Sequence, residues 1–271
     1  MIDFTRYEAH LRDAHKARNT ITSYMFALHQ FDRLYGGDFT ARNLRLYKTY
    51  LIENFKPKTV NSRILAVNAY ANCIRKPNMK LPQVKLQQKQ FLENVISDAD
   101  YTFFKNKLRN NDEMFWYFVV RFLAATGARI SELIQFKVEH VNAGYIDIYS
   151  KGGKIRRIYI PLTLRREAQD WLSEIGRSSG FLFVNRRSSE RMTTRGVSSQ
   201  LKKLAVKYKL NPAVVYPHSF RHRFAKNFLE HFNDISLLAD LMGHESIETT
   251  RVYLRRTSTE QQAIVDRIVT W

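Results

Sequence analysis

The most informative stretch of this 271-residue chain reads Ala125-Thr126-Gly127-Ala128-Arg129-Ile130-Ser131-Glu132-Leu133. It follows an apolar run, Met114 to Ala125, which is too short to span a bilayer and is predicted to form a buried helix. Gly127 is expected to end that helix, and Ser131 to begin the next one. Arg129 therefore lies at a helix junction, where its guanidinium group can bind an anion.

The sequence after this stretch is predicted to be mixed. Tyr145–Tyr149 and Arg157–Ile160 alternate like strands on either side of a Lys151–Lys154 turn, which indicates a β-hairpin. Phe181–Val184 is a candidate third strand, and the pattern is mostly helical from Thr193 onward. The expected fold class is therefore mostly α with a small antiparallel β-sheet.

The sequence before this stretch predicts a helical domain and a linker. Three amphipathic segments lie within residues 1–76: Asn19–Leu34, Leu44–Ile52 and Thr59–Tyr70. Prolines and a glutamine- and lysine-rich run then predict a linker over residues 77–92. Ser97 with Asp100 indicates the start of a new helix. We therefore expect a helical domain at 1–76 and a second domain at 93–271.

The charge pattern predicts a polyanionic partner. The chain has 44 Lys and Arg against 25 Asp and Glu, a net charge of +19. Residues 1–90 carry +10 of it, and no acid lies between Glu53 and Glu93. Nucleic acid is the expected partner, and the basic residues singled out for phosphate contact are Lys56, Lys58, Arg63 and, at the hairpin tip, Lys154.

The same composition excludes other classes of protein. Cys73 is the single cysteine, which excludes an intrachain disulfide and a multi-cysteine zinc site. No apolar run reaches the length of a membrane span, and the first residues lack the features of a secretory signal. A cytoplasmic protein with no membrane partner is the expectation.

Three further segments carry groups suited to phosphate chemistry. They are the Lys151 turn, Pro217 to Ala225 and the Met242-Gly243-His244 run, which Tyr253 follows nine residues after the histidine. Each is weak alone. His218 and His222 are spaced for zinc, but no glutamate lies between them and no third ligand is evident. Together they supply guanidinium groups, proton donors and a hydroxyl nucleophile, the set that attack on a phosphodiester without metal requires.

These motifs resemble those of tyrosine recombinases of the phage-integrase family, most closely the two-domain Xer-type members. The A-T-G-x-R-x-S-E-L box is matched by residues 125–133, and the lysine followed by glycine selects Lys151. The H-x-L-R-H box is matched with Phe220 in place of leucine, and Arg223 follows it where serine or threonine is usual. The catalytic set that the resemblance implies is Arg129, Lys151, His218, Arg221, His244 and Tyr253.

The resemblance implies site-specific strand exchange by transesterification, without metal or other cofactor, through a 3′-phosphotyrosyl bond to Tyr253. Lys151 would protonate the leaving oxygen, His218 would accept the tyrosine proton or hold the phosphate, and His244 would donate a hydrogen bond to it. It also implies a SAM-like core-binding domain at 1–76 and a catalytic domain at 93–271.

The implied partner is double-stranded DNA with a specific site, and four protomers, identical or shared with a paralogue, would assemble on two such sites. The apolar tail Thr257–Trp271 would dock on a neighbouring protomer or pack on its own domain. Glu132 would orient other groups rather than act in catalysis.

Two alternatives from other classes of protein remain from the sequence, and a third, a nuclease, is disfavoured. A type IB topoisomerase uses nearly the same residues, although the spacing favours recombination. A non-catalytic DNA-binding regulator would have lost the nucleophile, which is present here. A metal-dependent nuclease would need clustered carboxylates, and the acids in question are better explained by a helix start and a loop: Asp98, Asp100, Asp112 and Glu113.

Overall fold

Two units make up the chain, residues 1–88 and 89–271. The computed structural model describes residues 2–86, 94–149, 155–185, 190–244, 246–254, 262, 265–269 and 271. Among these residues no helix combines the length and apolar character needed to cross a membrane.

The first unit is helical. Its helices are α1 (Phe4–Asp13), α2 (Arg18–Tyr35), α3 (Ala41–Asn54) and α4 (Pro57–Cys73). The last three confirm the amphipathic segments predicted from the sequence, and α1 is an additional helix capped by the Asp3 side chain. Phe31 and Tyr47 are fully buried and meet edge to face at 5.3 Å in the centre of the unit.

The first part of the predicted linker packs onto α4. Leu81 is buried, and its backbone amide donates to the side chain of Asn68 at 2.8 Å. The backbone amide of Val84 donates to Asn61 in the same way. Residues 77–86 are therefore held against the helical unit, while the rest of the predicted linker, residues 87–92, lies outside the described residues.

The second unit is mostly helical with one hairpin, which confirms the expected fold class. Its elements are α5 (Asp98–Asn110), α6 (Met114–Thr126), α7 (Ile130–Leu133), α8 (Val138–Ala143), β1 (Tyr145–Tyr149), β2 (Ile155–Tyr159), α9 (Leu162–Glu174), α10 (Thr194–Lys207), α11 (Pro217–His231), α12 (Ile235–Met242), α13 (Ile247–Arg251) and a 3₁₀ turn (Val252–Leu254). Helix α6 is the buried helix that the apolar run predicts, and it packs against α5, α9 and α11.

The predicted hairpin is confirmed, whereas the predicted third strand is wrong. Strands β1 and β2 pair antiparallel, with Tyr145 opposite Tyr159. At Phe181–Val184 the backbone bonds instead with loop residues, since the Leu182 amide donates to the Phe136 carbonyl and the Met192 amide to the Phe183 carbonyl. Leu182 and Phe183 are fully buried in the core, so the apolar run reflects burial rather than membership of a sheet.

Phe220, which replaces leucine in the H-x-L-R-H box, and Arg223, which follows the box, both pack within the second unit. Phe220 is fully buried and meets Tyr101 edge to face at 6.3 Å. Arg223 forms an ion pair with Asp98 at 2.6 Å and lies over the Tyr101 ring at 4.0 Å. These contacts join α11 to the start of α5 and help to fix the helix that carries most of the candidate site.

Candidate active site

Five of the predicted catalytic residues come together in the second unit. Arg129 caps the start of α7, His218 and Arg221 lie on α11, His244 lies between α12 and α13, and Tyr253 is in the 3₁₀ turn that follows α13. Two predicted hairpin residues, Lys151 and Lys154, lie outside the described residues.

The junction between α6 and α7 aims Arg129 at the loop after α12. Gly127 ends α6 in the left-handed conformation, with φ of +62°, and a Cβ atom there would lie 2.5 Å from the Phe224 ring. Glycine is therefore required both by the backbone and by the packing of α11. The Arg129 guanidinium donates to the Gly243 carbonyl at 2.9 Å and is about one-third exposed.

Glu132 and Arg156 form a buried ion pair next to Arg129. Glu132 accepts from the backbone and guanidinium of Arg129 at 2.7 and 2.9 Å and bonds with Arg156 on β2 at 2.5 Å. Arg156 also donates to the Leu241 carbonyl at 2.6 Å. The expected orienting role of Glu132 has a structural counterpart here, because its carboxylate links the helix junction, the hairpin and the end of α12.

Arg221 is almost fully buried and is held by the main chain. Its guanidinium donates to the carbonyls of Gly127 at 2.5 Å and Met242 at 2.6 Å, and it contacts the His244 ring at 3.2 Å. Burial and the nearby Arg129 charge lower the pKa of Arg221 to about 10, so it remains a cation at neutral pH. A fixed, desolvated cation at this point suits the binding of a phosphate oxygen.

Tyr253 is buried among these groups. Its hydroxyl lies 3.2 Å from Nδ1 of His222, and its side chain also hydrogen-bonds with Arg221. Burial raises the pKa of Tyr253, and the Arg221 charge opposes that rise without cancelling it. The hydroxyl is thus protonated at neutral pH and has to lose a proton before its oxygen can act as a nucleophile.

The other two histidines differ in exposure. His244 shares a hydrogen bond with Thr250 at 2.7 Å, and burial with the neighbouring arginines lowers its pKa to about 4. His218 is the more exposed of the two. Its ring is still partly desolvated, and this, together with the charges of Arg221 and Arg129, lowers its pKa as well. The described histidines of the site are therefore neutral at neutral pH.

Sequence reasoning did not select two residues that the structure places in this network. His222 was noted as part of its motif and weighed only as a metal ligand. Arg156 was not singled out, because the strand was predicted to begin at Arg157. The signal that could have found Arg156 is its inward register beside Ile158 on a strand whose other inward positions are apolar.

The predicted phosphate-contacting residues of the first unit lie near the start of α4. Lys56 and Lys58 are exposed there, at the positive end of the helix dipole. Arg63 is partly buried, since its guanidinium lies 3.8 Å from the Phe55 ring centre and donates to Gln30 at 2.7 Å. The two lysines are thus the more available cations of this group.

The described residues of the C-terminal tail are exposed. Val265, Ile268 and Val269 each expose about half of their surface, and Trp271 exposes 90%. These apolar side chains are therefore left uncovered within a single chain.

Comparison with known proteins gives consistent matches. The model of the phage integrase family matches residues 90–260. Tyrosine recombinase XerA of Pyrococcus furiosus is 31% identical, over 93% of this chain and 88% of that protein. The Tn1549 transposon integrase, solved in complex with circular intermediate DNA, has a TM-score of 0.71 at 19% identity and covers 97% of this chain and 98% of its own. XerH recombinase bound to difH substrate has a TM-score of 0.67 at 18% identity, and the match covers 90% of this chain and 79% of that protein.

Proposed function

Since this chain belongs to the phage integrase family and is a tyrosine-type site-specific recombinase, we propose that it exchanges DNA strands through a covalent bond to Tyr253. The observation that carries this proposal is the position of the Tyr253 hydroxyl, which lies within hydrogen-bond reach of His222 and Arg221 in a centre that also holds Arg129. A nucleophile beside two phosphate-binding cations is the arrangement that phosphoryl transfer requires.

In the first step the Tyr253 oxygen attacks the scissile phosphorus, and the bond from phosphorus to the 5′-oxygen breaks. Arg129 and Arg221 neutralise the charge that develops on the nonbridging oxygens. The leaving 5′-oxygen takes a proton from Lys151. The products are a 3′-phosphotyrosyl bond and a 5′-hydroxyl.

In the second step the 5′-hydroxyl of the partner strand attacks the phosphotyrosyl bond and releases Tyr253. One phosphoester replaces another in each step, so the exchange balances without nucleotide hydrolysis. The two steps together convert cleaved ends into recombinant strands.

The remaining histidines bind the phosphate in this proposal. His218 is exposed on α11 and can reach a bound phosphate without being released from the core. His244 faces Arg221 in the unbound protein, and arginine only donates, so the ring accepts there. Donation from His244 to phosphate therefore requires its proton to move between the ring nitrogens when DNA displaces the Arg221 contact.

The proposed partner is duplex DNA with a specific recombination site, bound by both units. Four protomers on two sites would bring the strands together for exchange, either as identical chains or with a paralogue. The exposed apolar residues of the tail, Val265, Ile268, Val269 and Trp271, support a contact between neighbouring protomers, because they are uncovered in the single chain.

The test of the nucleophile uses a nicked suicide substrate, which traps the covalent complex because the cleaved end diffuses away. Tyr253→Phe should bind this DNA with unchanged affinity and form no adduct. Tyr159→Phe is the matched control, since Tyr159 is a largely exposed tyrosine of the same unit. An adduct in the Tyr253→Phe protein would show that another hydroxyl is the nucleophile. Supercoil relaxation without strand exchange by the unchanged protein would instead indicate a topoisomerase.

A further inference from the structure

The hydroxyl of Tyr253 has two side-chain partners, one of which can only donate. On one side it meets the Arg221 guanidinium, and on the other it meets Nδ1 of His222 at 3.2 Å. A guanidinium has donors and no acceptor, so the tyrosine oxygen accepts from Arg221. The tyrosine proton can therefore be donated to Nδ1 of His222 in the tautomer that carries the ring proton on Nε2.

His222 is in the state needed to receive that proton. Burial, His218 and Arg221 lower the pKa of His222 to about 4, which leaves the ring neutral at neutral pH. The groups that face it are His218 and Arg221 from α11, Tyr253 from the 3₁₀ turn and His244 from the loop after α12. No carboxylate is among these facing groups in the described part of the chain. The tautomer that accepts from Tyr253 is the one that carries the ring proton on Nε2.

His218 is less suited to the same task. It lies one helical turn before His222, with its ring centre 6.3 Å from that of His222, and it is exposed. Its exposure favours contact with bound DNA, whereas His222 already contacts the reacting oxygen. His218 is therefore placed to bind phosphate, and His222 is placed to act on Tyr253.

We propose that His222 is the general base that activates Tyr253, an inference that depends on the proposed role of Tyr253 as nucleophile. As the bond from the tyrosine oxygen to phosphorus forms and the bond to the 5′-oxygen breaks, the phenolic proton moves to Nδ1 of His222. The 5′-oxygen leaves with a proton from the hairpin lysine. In the second step, the imidazolium returns its proton to the tyrosine oxygen as the phosphotyrosyl bond breaks, and the attacking 5′-hydroxyl gives its proton to that lysine.

The decisive variant is His222→Asn. The asparagine side chain places a hydrogen-bonding atom close to the position of Nδ1, so it preserves the contact with Tyr253 but cannot take up a proton. His231→Asn is the matched control, because His231 lies on the same helix at its exposed end. The full-length proteins are compared for DNA affinity, for thermal unfolding and for single-turnover adduct formation on the suicide substrate.

His222→Asn should bind DNA normally and form adduct more slowly by on the order of 10²–10⁴. Because hydroxide must then replace the base, the ratio of unchanged-protein to variant rates should fall by about tenfold per pH unit from about pH 6 to pH 8. The comparison of rates at each pH cancels the titration of groups that both proteins share. His231→Asn should match the unchanged protein throughout.

Two results would overturn the proposal. One is adduct formation by His222→Asn at the unchanged rate. The other is a slower rate whose ratio to that of the unchanged protein does not vary with pH, which would mean that His222 only orients the tyrosine. Failure of the proposed function is separate, since the unchanged protein would then form no adduct or Tyr253→Phe would form one.

Discussion

Glu132 is the residue at which two arginines of the candidate site meet. One carboxylate oxygen bonds with the guanidinium of Arg129 at 2.9 Å, and the other bonds with that of Arg156 at 2.5 Å. Burial raises the pKa of Glu132, but the Arg156 charge and the hydrogen bonds from Arg129 outweigh burial and hold the pKa below its usual value. Glu132 is therefore ionised at neutral pH and serves as counter-ion to both arginines.

Glu132→Gln should lower the free energy of unfolding by about 3 kcal/mol at neutral pH, because it leaves the buried Arg156 without its counter-ion. Since the folded-state pKa is lowered, the carboxylate stabilises the protein fully above the ordinary pKa of 4.5 and progressively less as pH falls through the folded-state value. Denaturant titrations should thus show the deficit of the variant shrinking in acid. A deficit of the same size at all pH values would contradict the ion-pair explanation.

The proton donor to the leaving oxygen is predicted to be Lys151 rather than Lys154. A leaving 5′-alkoxide is strongly basic, whereas a thiolate, with a pKa near about 8.5, needs little protonation. Lys151→Ala should therefore slow cleavage of ordinary DNA by on the order of 10²–10⁴ and recover on DNA with a bridging 5′-sulfur.

Lys154→Ala is the matched control for this experiment. It should weaken DNA binding mildly and show no selective recovery with sulfur. Recovery of Lys154→Ala alone would reverse the assignment of the two lysines, and recovery of neither would point to His218 as the proton donor.

At the scale of elements, the end of α12 is shaped by the arginine that approaches it from β2. Gly243 ends α12 with φ of +61°, and a Cβ atom there would collide with the Arg156 side chain. Its carbonyl binds Arg129, and the carbonyl of Leu241 binds Arg156. The glycine therefore allows α12, the hairpin and the α6–α7 junction to meet at one point.

Gly243→Ala should destabilise the protein more than Gly176→Ala, although both glycines have a left-handed backbone conformation. Gly176 has φ of +63° and open space around it, so alanine there should cost only the backbone strain of about 1 kcal/mol. At Gly243 the displacement of Arg156 should add about 1–3 kcal/mol. Thermal unfolding measures this difference, and cleavage assays should show a loss of activity confined to Gly243→Ala. Equal destabilisation by the two substitutions would show that Arg156 moves aside easily.

Elements with a buried stripe were predictable from the sequence, and those shaped by distant contacts were not. Helices α2, α3 and α4 span 18, 14 and 17 residues, whereas α1 spans only ten residues and buries only Tyr7 and Leu11, so its apolar stripe is short. The predicted strand at Phe181–Val184 was wrong because a short apolar run is the same for a strand and for a buried loop.

The residues of the candidate site were predictable from the sequence only where they belong to a recognised motif. Local spacing places His222 on the same helix face as His218, but the contact with Tyr253 depends on a turn 31 residues away. Arg156 depends likewise on Glu132 and Leu241, which lie 24 and 85 residues from it. Sequence periodicity carries no information about such pairs.

At the scale of the whole molecule, the net charge of +19 predicts DNA binding that weakens steeply with salt. Lys56→Ala combined with Lys58→Ala should lower the slope of log affinity against log salt by about 2, because each lost phosphate contact lowers it by about 1. Arg63→Ala should change the slope less than either lysine, since its guanidinium already binds Phe55 and Gln30. An unchanged slope in the double variant would show that these lysines do not contact DNA.

The exposed tail predicts a difference between binding and assembly. Removing residues 265–271 should leave the affinity for a single site unchanged, because Val265, Ile268, Val269 and Trp271 are exposed in the single chain. It should weaken the formation of larger complexes on DNA, measured by analytical ultracentrifugation or native gels. Undiminished assembly after truncation would indicate that the tail packs on its own chain instead.

Main-chain carbonyls hold Arg129 and Arg221, and at Met242 the atom that holds the arginine does not depend on the side chain. A carbonyl oxygen is present whichever side chain a residue carries, so Met242 can be replaced by another apolar residue without removing the acceptor that holds Arg221. Gly127 and Gly243 supply the other carbonyls and are fixed by their backbone and packing, so the freedom to change the side chain is confined to positions such as Met242. At such positions the side chain can evolve without a change in the group that holds the arginine needed for DNA cleavage.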